Sequence, residues 1–239
     1  MKYLDLAFDD PARNLACDEA LLELAETQQL NDSLLRVWQS ANYFVVLGHA
    51  NSMTSEVNVA TCEANGISIL RRMSGGGTVM QGPGCLNYSL ILTSTAHRPS
   101  SIGGDFHYVL ERHRDLIAQL SGVAVRIDGI SDLTVAGRKF SGNAQYRKSR
   151  AVLIHGTFLL GFDLSLVECY LHVPAKQPPY RRGRRHAAFL ANLGLASDVV
   201  CNSLREVWFA GEAFSQVPLK RIEALVRERY GQEAWSKKF

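Results

Sequence analysis

Two arginines followed within a few residues by three consecutive glycines, Leu70-Arg71-Arg72-Met73-Ser74-Gly75-Gly76-Gly77-Thr78-Val79, constrain this chain more than any other stretch. The apolar run 67–70 precedes them, and the run 86–92 follows, past Gly82-Pro83-Gly84-Cys85. Both runs read as strands, which makes the glycines a loop between strands. Glycines let a ligand approach the backbone closely and leave N–H donors open. Arginines beside such a loop suit a carboxylate or a phosphate. The stretch therefore reads as a holder for an elongated, partly anionic small molecule, with a plain glycine-rich turn as the alternative. No Gly-Lys-Ser/Thr follows, so it is not a Walker loop, and the spacing is not that of a dinucleotide turn.

The remaining pattern mixes strands and helices without strict alternation. Asp10-Pro11 predicts an N-cap with proline at the first helical position, opening a helix through Leu15, Leu22 and Ala25. Strands are predicted over 34–38 and 43–47, then over 123–127, 133–135, 139–147 and 151–160. Residues 105–120 place Phe106, Val109, Leu110, His113, Leu116, Ile117 and Leu120 on one helical face. His113 reads as a packed or half-exposed residue of that stripe, since no second His or Cys stands at ligand spacing. Helices are also predicted from Asp163 to Leu171 and over 218–230. The result is an α+β fold, a mixed or antiparallel sheet flanked by helices.

A formal charge of only +3 does not argue for nucleic acid, and no nucleic-acid partner is expected. The basic character is local, in Tyr180-Arg181-Arg182-Gly183-Arg184-Arg185-His186. That cluster suits nucleotide phosphates, an acidic protein partner, or simply a solvated loop. Five scattered cysteines without a C-x-x-C fit reduced thiols better than a disulfide framework or a zinc site. Residues 1–14 lack a signal-peptide core, and no apolar run has bilayer length, so a cytoplasmic protein with no membrane partner is expected.

A second constellation runs from Ser131 to Ala144. It predicts a hairpin turn at Ala136-Gly137, then Lys139, then a second small-residue turn at Ser141-Gly142. A lysine just after a tight turn is a fixed point charge, useful against a phosphate or an acyl oxygen. The ordinary alternative is a surface lysine on a strand.

Together these motifs resemble the lipoate–protein ligase family, grouped with the biotin ligases and the octanoyltransferases. Asn14 to Leu21 is similar to its N-terminal helix, and Leu47-Gly48-His49-Ala50-Asn51-Ser52 with Glu56-Val57-Asn58 to the segment before the acyl loop. Arg71 to Val79 resembles the loop covering the acyl chain, and Asp132 to Ala144 the catalytic-lysine motif. His155-Gly156-Thr157 with Asp163-Leu164, and Asn192-Leu193, match segments beyond it.

The resemblance implies a fold akin to biotin protein ligases and class II aminoacyl-tRNA synthetases. It implies one catalytic domain over 1–239, with about 195–239 as a short helical tail and no full C-terminal accessory domain. A separate accessory subunit is the corollary. The implied substrates are ATP with Mg²⁺ and lipoic acid or octanoate. An acyl-adenylate would form and then acylate a lysine on a lipoyl-domain protein, a 2-oxoacid dehydrogenase E2 or a glycine-cleavage H-like protein. Lys139 is the implied catalytic residue. The acyl group would meet Val46, His49, Arg72, Ser74 and Gly75, then Gly76, Gly77, Val79, His155 and Gly156. The nucleotide would meet Arg72, Thr78, Asn87 and Asp132, then Lys139, Ala144, Arg184 and Arg185. Mg²⁺ would arrive on the phosphates, with no ligand residue assigned.

Two other readings compete. A transferase of the same fold would need an activated cysteine near the lysine. The comparable places hold Pro174-Ala175 in one case and no cysteine between Cys85 and Cys169 in the other. Cys85 reads as a small buried residue at a strand start, and Cys169 as a core residue on a helix. The third reading is a non-catalytic lipoate- or biotin-binding module, against which the retained Lys139 speaks.

Overall fold

The computed structural model describes residues 1–94 and 101–239. The chain opens with β1 (Lys2–Asp5), α1 (Pro11–Glu26), β2 (Leu34–Trp38) and β3 (Phe44–Leu47). Short helices α2 (Met53–Glu56) and α3 (Val59–Ala64) lead to β4 (Ser68–Arg71), β5 (Val79–Gln81) and β6 (Cys85–Thr93). Then come α4 (Ile102–Ser121), β7 (Val125–Asp128), β8 (Asp132–Val135), β9 (Arg138–Arg147) and β10 (Ala151–Leu159). The rest is largely helical: α5 (Ser165–Tyr170), a 3₁₀ turn (Pro179–Arg181), α6 (His186–Phe189), α7 (Ser197–Val207), the short β11 (Glu212–Ala213), α8 (Leu219–Leu225), a π turn (Val226–Tyr230) and α9 (Glu233–Ser236).

Eight strands form one sheet in the order β11-β1-β2-β6-β10-β9-β8-β7, and β4-β3-β5 form a second. The larger sheet is antiparallel from β2 onward, while β1 runs parallel to β2 and β11. The α+β class expected from the sequence is observed. Its division into two sheets is a tertiary feature: β2 and β3 are consecutive, yet the bend at Gln39–Asn42 sends them to different sheets.

Helix α1 starts as expected, with Asp10 accepting from the Ala12 N–H at 2.9 Å. It is buried along nearly its whole length, between the larger sheet and the helices of residues 219–230. Helix α4 begins three residues before the expected Asp105, because Ser101 caps it through the Gly104 N–H. Its apolar stripe covers the other face of the sheet.

The Ala136-Gly137 turn is present, with both residues in the left-handed region. The second turn, at Ser141-Gly142, is not: both residues lie inside β9, paired to β8 on one side and to β10 on the other. In its place the β8–β9 ladder shifts register between Leu133 and Thr134, which pair with Ser141 and Lys139. Phe140 is the extra residue, so two side chains three apart along β9 face the same way. Phe140 stacks on Phe158 and Asn143 meets Tyr88 on the α4 side. Lys139 lies over Gly142 on the opposite side. Strict alternation would have put Lys139 with Asn143; the bulge re-aims it.

Candidate active site

The site grows from the alternation of β6 and β10. Asn87 pairs with Thr157 and Ser89 with His155. These four point toward α1 and the smaller sheet, whereas Leu86, Tyr88, Leu90, Ile154 and Phe158 point toward α4. Polar side chains on the buried face of central strands need partners, and α1 supplies one. Asp18 accepts from Ser89 Oγ at 2.7 Å and from Arg36 Nη1 at 2.7 Å. Burial pushes its carboxyl up, but the Arg36 guanidinium, with His155 and Ser89, outweighs that and holds it below the ordinary value. His155 Nδ1 lies 3.5 Å from the same carboxylate. Its Nε2 lies 2.6 Å from Ser74 Oγ, so the ring links α1 to the glycine-rich loop.

Ser74 opens the glycine-rich loop. Its hydroxyl accepts from Arg72 Nε at 3.1 Å. Arg72 Nη2 donates to the carbonyls of Gly75 and Gly77, at 2.6 and 2.8 Å. Burial pushes the Arg72 guanidinium down to about 10, and it remains a cation at neutral pH. Arg72 thus shapes the loop from within. Thr78 is held through Asn51 Nδ2 at 3.2 Å. Gly76 leans on β9, where a Cβ would stand 3.7 Å from the Ala144 methyl.

Gly142 lies two residues along β9 from Ala144, about 7 Å at strand rise, and the Lys139 ammonium sits over it. It donates to Asp132 Oδ1 at 2.8 Å. Tyr180 donates to the other oxygen, Oδ2, at 2.6 Å. The carboxylate is thus gripped from both sides. Burial first, then the Asp132 charge, pushes the Tyr180 hydroxyl far up, so it stays a donor. Gly142 makes room for the ammonium: a Cβ there would stand 2.6 Å from Lys139 Nζ.

Next to this row lies a hydrogen-bond chain. Gln81 Nε2 donates to Thr157 Oγ1 at 2.7 Å, and Thr157 donates to Asn87 Oδ1 at 2.6 Å. Its outer ends, Gln81 Oε1 and Asn87 Nδ2, are buried and meet no partner among the described residues. If both amides turned over, one donor and one acceptor would still stand free at the ends.

The expected site residues divide accordingly. Lys139, Asp132, Asn87, Ala144, His155, Ser74 and Gly76 converge on one side of the larger sheet. Val46 and Val79 pair across the smaller sheet, as an apolar wall beneath the loop. Gly156 faces the other way, where a Cβ would collide with Asn143 Oδ1. The His49 ring lies 5.6 Å from the Trp235 ring and 5.7 Å from that of Phe239, so it packs on the C-terminal helices. Arg184 donates to the carbonyls of Gly137, Tyr180 and Arg181, tying the basic loop to the β8–β9 turn. Arg185 is exposed and pairs with Glu168 at 3.3 Å.

The cysteines separate as well. Cys85 is wholly buried, and burial pushes its thiol up to about 12. Cys169, expected in the core, is exposed. The six-residue α5 buries only the face carrying Val167 and Tyr170, as a short amphipathic helix does. Sequence reasoning missed Asp18, Arg36, Gln81 and Tyr180. A signal existed for the first two: Asp18-Glu19 interrupts an apolar helix, and Arg36 an apolar strand.

Among the described residues no group of three or more His, Cys, Asp or Glu is placed to hold a metal ion. No helix among them is long and apolar enough to cross a membrane.

Residues 10–198 match the family described as the lipoyl protein ligase A/B catalytic domain. The chain is 32% identical over 166 residues to a probable lipoate-protein ligase A of Mycoplasma pneumoniae, a match covering 68% of this chain and 46% of the relative. It therefore spans about half that relative's length. It is 30% identical over 243 residues to a putative lipoate-protein ligase A of Aeropyrum pernix, covering 95% of this chain and 88% of the relative. Its fold is shared with a bipartite lipoate protein ligase of Thermoplasma acidophilum, whose structure is described together with its E2 lipoyl domain. That match has a TM-score of 0.82 and 23% identity, and covers 99% of this chain and 96% of that one.

Proposed function

The chain belongs to the lipoyl protein ligase A/B catalytic-domain family, and we propose that it uses ATP to attach lipoate or octanoate to a lysine of a lipoyl-domain acceptor. In the first step the acyl carboxylate attacks the α-phosphorus of ATP and pyrophosphate leaves. In the second the acceptor lysine's amine attacks the acyl carbon and AMP leaves. The observation that carries this reading is the Lys139 ammonium, gripped by Asp132 over Gly142 on the face that also bears His155 and the glycine-rich loop.

Carboxylate and triphosphate repel each other, and a positioned cation between them lowers that cost. Lys139 supplies it in step one and can stabilise the acyl oxygen in step two. Transfer of the lysine from Asp132 to the α-phosphate frees one oxygen of that carboxylate. Mg²⁺ commonly binds through one or two carboxylates plus substrate phosphates, without a protein cage. Asp132 fits that mode, and the ion would neutralise phosphate charge. The free donor and acceptor at Asn87 and Gln81 suit a nucleoside's polar groups. The wall of Val46 and Val79 suits the aliphatic chain.

On this reading residues 1–239 act as one catalytic unit. Val200, Leu204 and Trp208 join the core on the α4 side, and Ile222, Leu225 and Tyr230 join that on the α1 side. The enzyme would work in the cytoplasm on an E2-type or H-like acceptor. The Thermoplasma ligase is bipartite, and we extend an accessory chain to this protein on that analogy.

The buried Cys85 disfavours the transferase reading. The deciding measurement is lipoate-dependent pyrophosphate release from ATP. Release with formation of lipoyl-AMP is expected. Acyl transfer without ATP, through an enzyme thioester, would overturn the proposal.

A further inference from the structure

Arg71, the neighbour of Arg72, is wholly buried and turns to the opposite side of the strand. Its guanidinium binds two segments far apart in sequence. Nη1 donates to the carbonyls of Gly48, His49 and Asn51, at 2.9, 3.0 and 2.7 Å. Nε donates to Trp235 O at 3.1 Å and Nη2 to Ser236 O at 2.7 Å. Trp235 Nε1 returns a bond to the Arg71 carbonyl at 2.8 Å. No carboxylate pairs with this cation among the described residues, so backbone dipoles compensate it. A lysine has a single ammonium and cannot bridge the two segments in this way.

Each bound segment has a second attachment. The 48–51 segment underlies the glycine-rich loop. The His49 N–H donates to Ser74 O at 2.8 Å, and Asn51 Nδ2 to Gly76 O at 3.1 Å. Gly48 backs directly onto the loop: a Cβ would stand 2.0 Å from Gly76 O. The C-terminal helices are fastened to α1. Tyr230 donates to Glu19 Oε2 at 2.5 Å, and Arg229 pairs with the same carboxylate. Arg221 pairs with Glu23 at 2.7 Å and Arg13 with Glu223 at 2.6 Å. A continuous bonded path thus runs from α1 through the C-terminal helices and Arg71 to the loop.

We propose that Arg71 and Trp235 are positioning residues that hold the glycine-rich loop in register over the acyl site. The assignment of that site rests on the reading above; the brace itself rests on the contacts. Neither side chain touches substrate. They act by keeping the loop's carbonyls and amides where the acyl group will meet them, so that loop order is not purchased from binding energy.

The test uses the full chain without substrates. Trp235→Phe keeps an aromatic ring beside His49 and removes the N–H that bonds Arg71. Losing one such hydrogen bond is expected to speed amide exchange at 48–51 and 74–78 about fivefold, with α4 unchanged. Arg71→Lys is expected to speed it further. In turnover, Trp235→Phe should raise KM for lipoate by a similar factor and leave kcat and KM for ATP unchanged. Unchanged exchange at 74–78, or an equal rise in α4, would overturn the brace, as would loosened exchange with an unaltered KM for lipoate. A wild-type protein that does not use lipoate would sink the functional reading instead, and the exchange measurements would still decide whether the brace exists.

Discussion

The two faces of β6 and β10 are chemically opposite, and the polar one is the less completely buried. On the α4 side, Leu86, Tyr88, Leu90, Ile154 and Phe158 meet the helix's apolar stripe, and Tyr88 stacks on Phe158 with ring centroids 5.4 Å apart. On the α1 side the same strands carry Asn87, Ser89, His155 and Thr157, each tied into a hydrogen-bond chain. Stability alone would favour apolar residues at these positions, since burying polar groups gains little even when they are satisfied. Their presence on one face fits the chemistry proposed for it. The bulge at Phe140 sharpens the contrast by moving one lysine from the packing side to the chemical side.

The contrast makes separable predictions. Leu110 lies wholly buried in the α4 stripe. Leu110→Ala should cost about 3 kcal/mol of unfolding free energy, read by denaturant melts, while kcat of the folded protein holds. A fall in kcat at unchanged stability would break the division between the faces. Lys139→Ala should do the reverse, losing about a hundredfold or more in adenylation rate with an unchanged melt. Gly142→Ala should mimic it, because the new methyl would occupy the ammonium's place. Near-normal pyrophosphate release by a folded Lys139→Ala protein would remove the lysine from the chemistry.

Most of this architecture could be read from the chain. Alternation and turn residues predicted the strands from 132 to 159 within a few positions, and the α4 stripe and the α1 cap were visible as patterns. What escaped has a common cause. The bulge depends on register between β8 and β9, which no local pattern reports, and Ser141-Gly142 looks like a turn until both neighbours pair with it. Arg72 and Arg184 read as ligand-binding cations, yet both engage backbone carbonyls, because a loop that doubles back presents them in bulk. Tyr180 reaches Asp132 across 48 residues. The short β5 and β11 lacked the length to announce themselves.

A histidine sits on the packing side. His113 is wholly buried, accepts from Trp208 Nε1 at 2.9 Å, and burial pushes it down to about 3 from an ordinary 6.5. It is therefore neutral in the folded protein. Below pH 6.5 the unfolded chain takes up a proton that the folded chain refuses. The stability this neutral form protects is complete above 6.5 and is lost as pH falls toward 3, at up to about 1.4 kcal/mol per pH unit. His113→Gln retains an acceptor for Trp208 and should flatten that slope in melts between pH 6.5 and 5. An unchanged slope would place the acid sensitivity elsewhere.

The smallest effect is expected at Cys85, which by alternation belongs to the chemical side and yet behaves as packing. It pairs with Leu159, two residues past Thr157, and lies among Val45, Leu47, Phe162 and Val167. A thiol must ionise to attack an acyl group. With its pKa pushed up to about 12, only about one molecule in 10⁵ would carry the thiolate at pH 7. The sequence Gly-Pro-Gly-Cys is thus compatible with a strand start and poorly suited to a thioester. Cys85→Ala should cost about 1 kcal/mol of stability and leave lipoyl-AMP formation and transfer to the acceptor at wild-type rates. Intact-mass measurement of the wild-type protein during turnover should find no acyl thioester. Loss of transfer in Cys85→Ala with adenylation preserved would return the sulfur to the chemical face and replace the proposed ligase with a transferase.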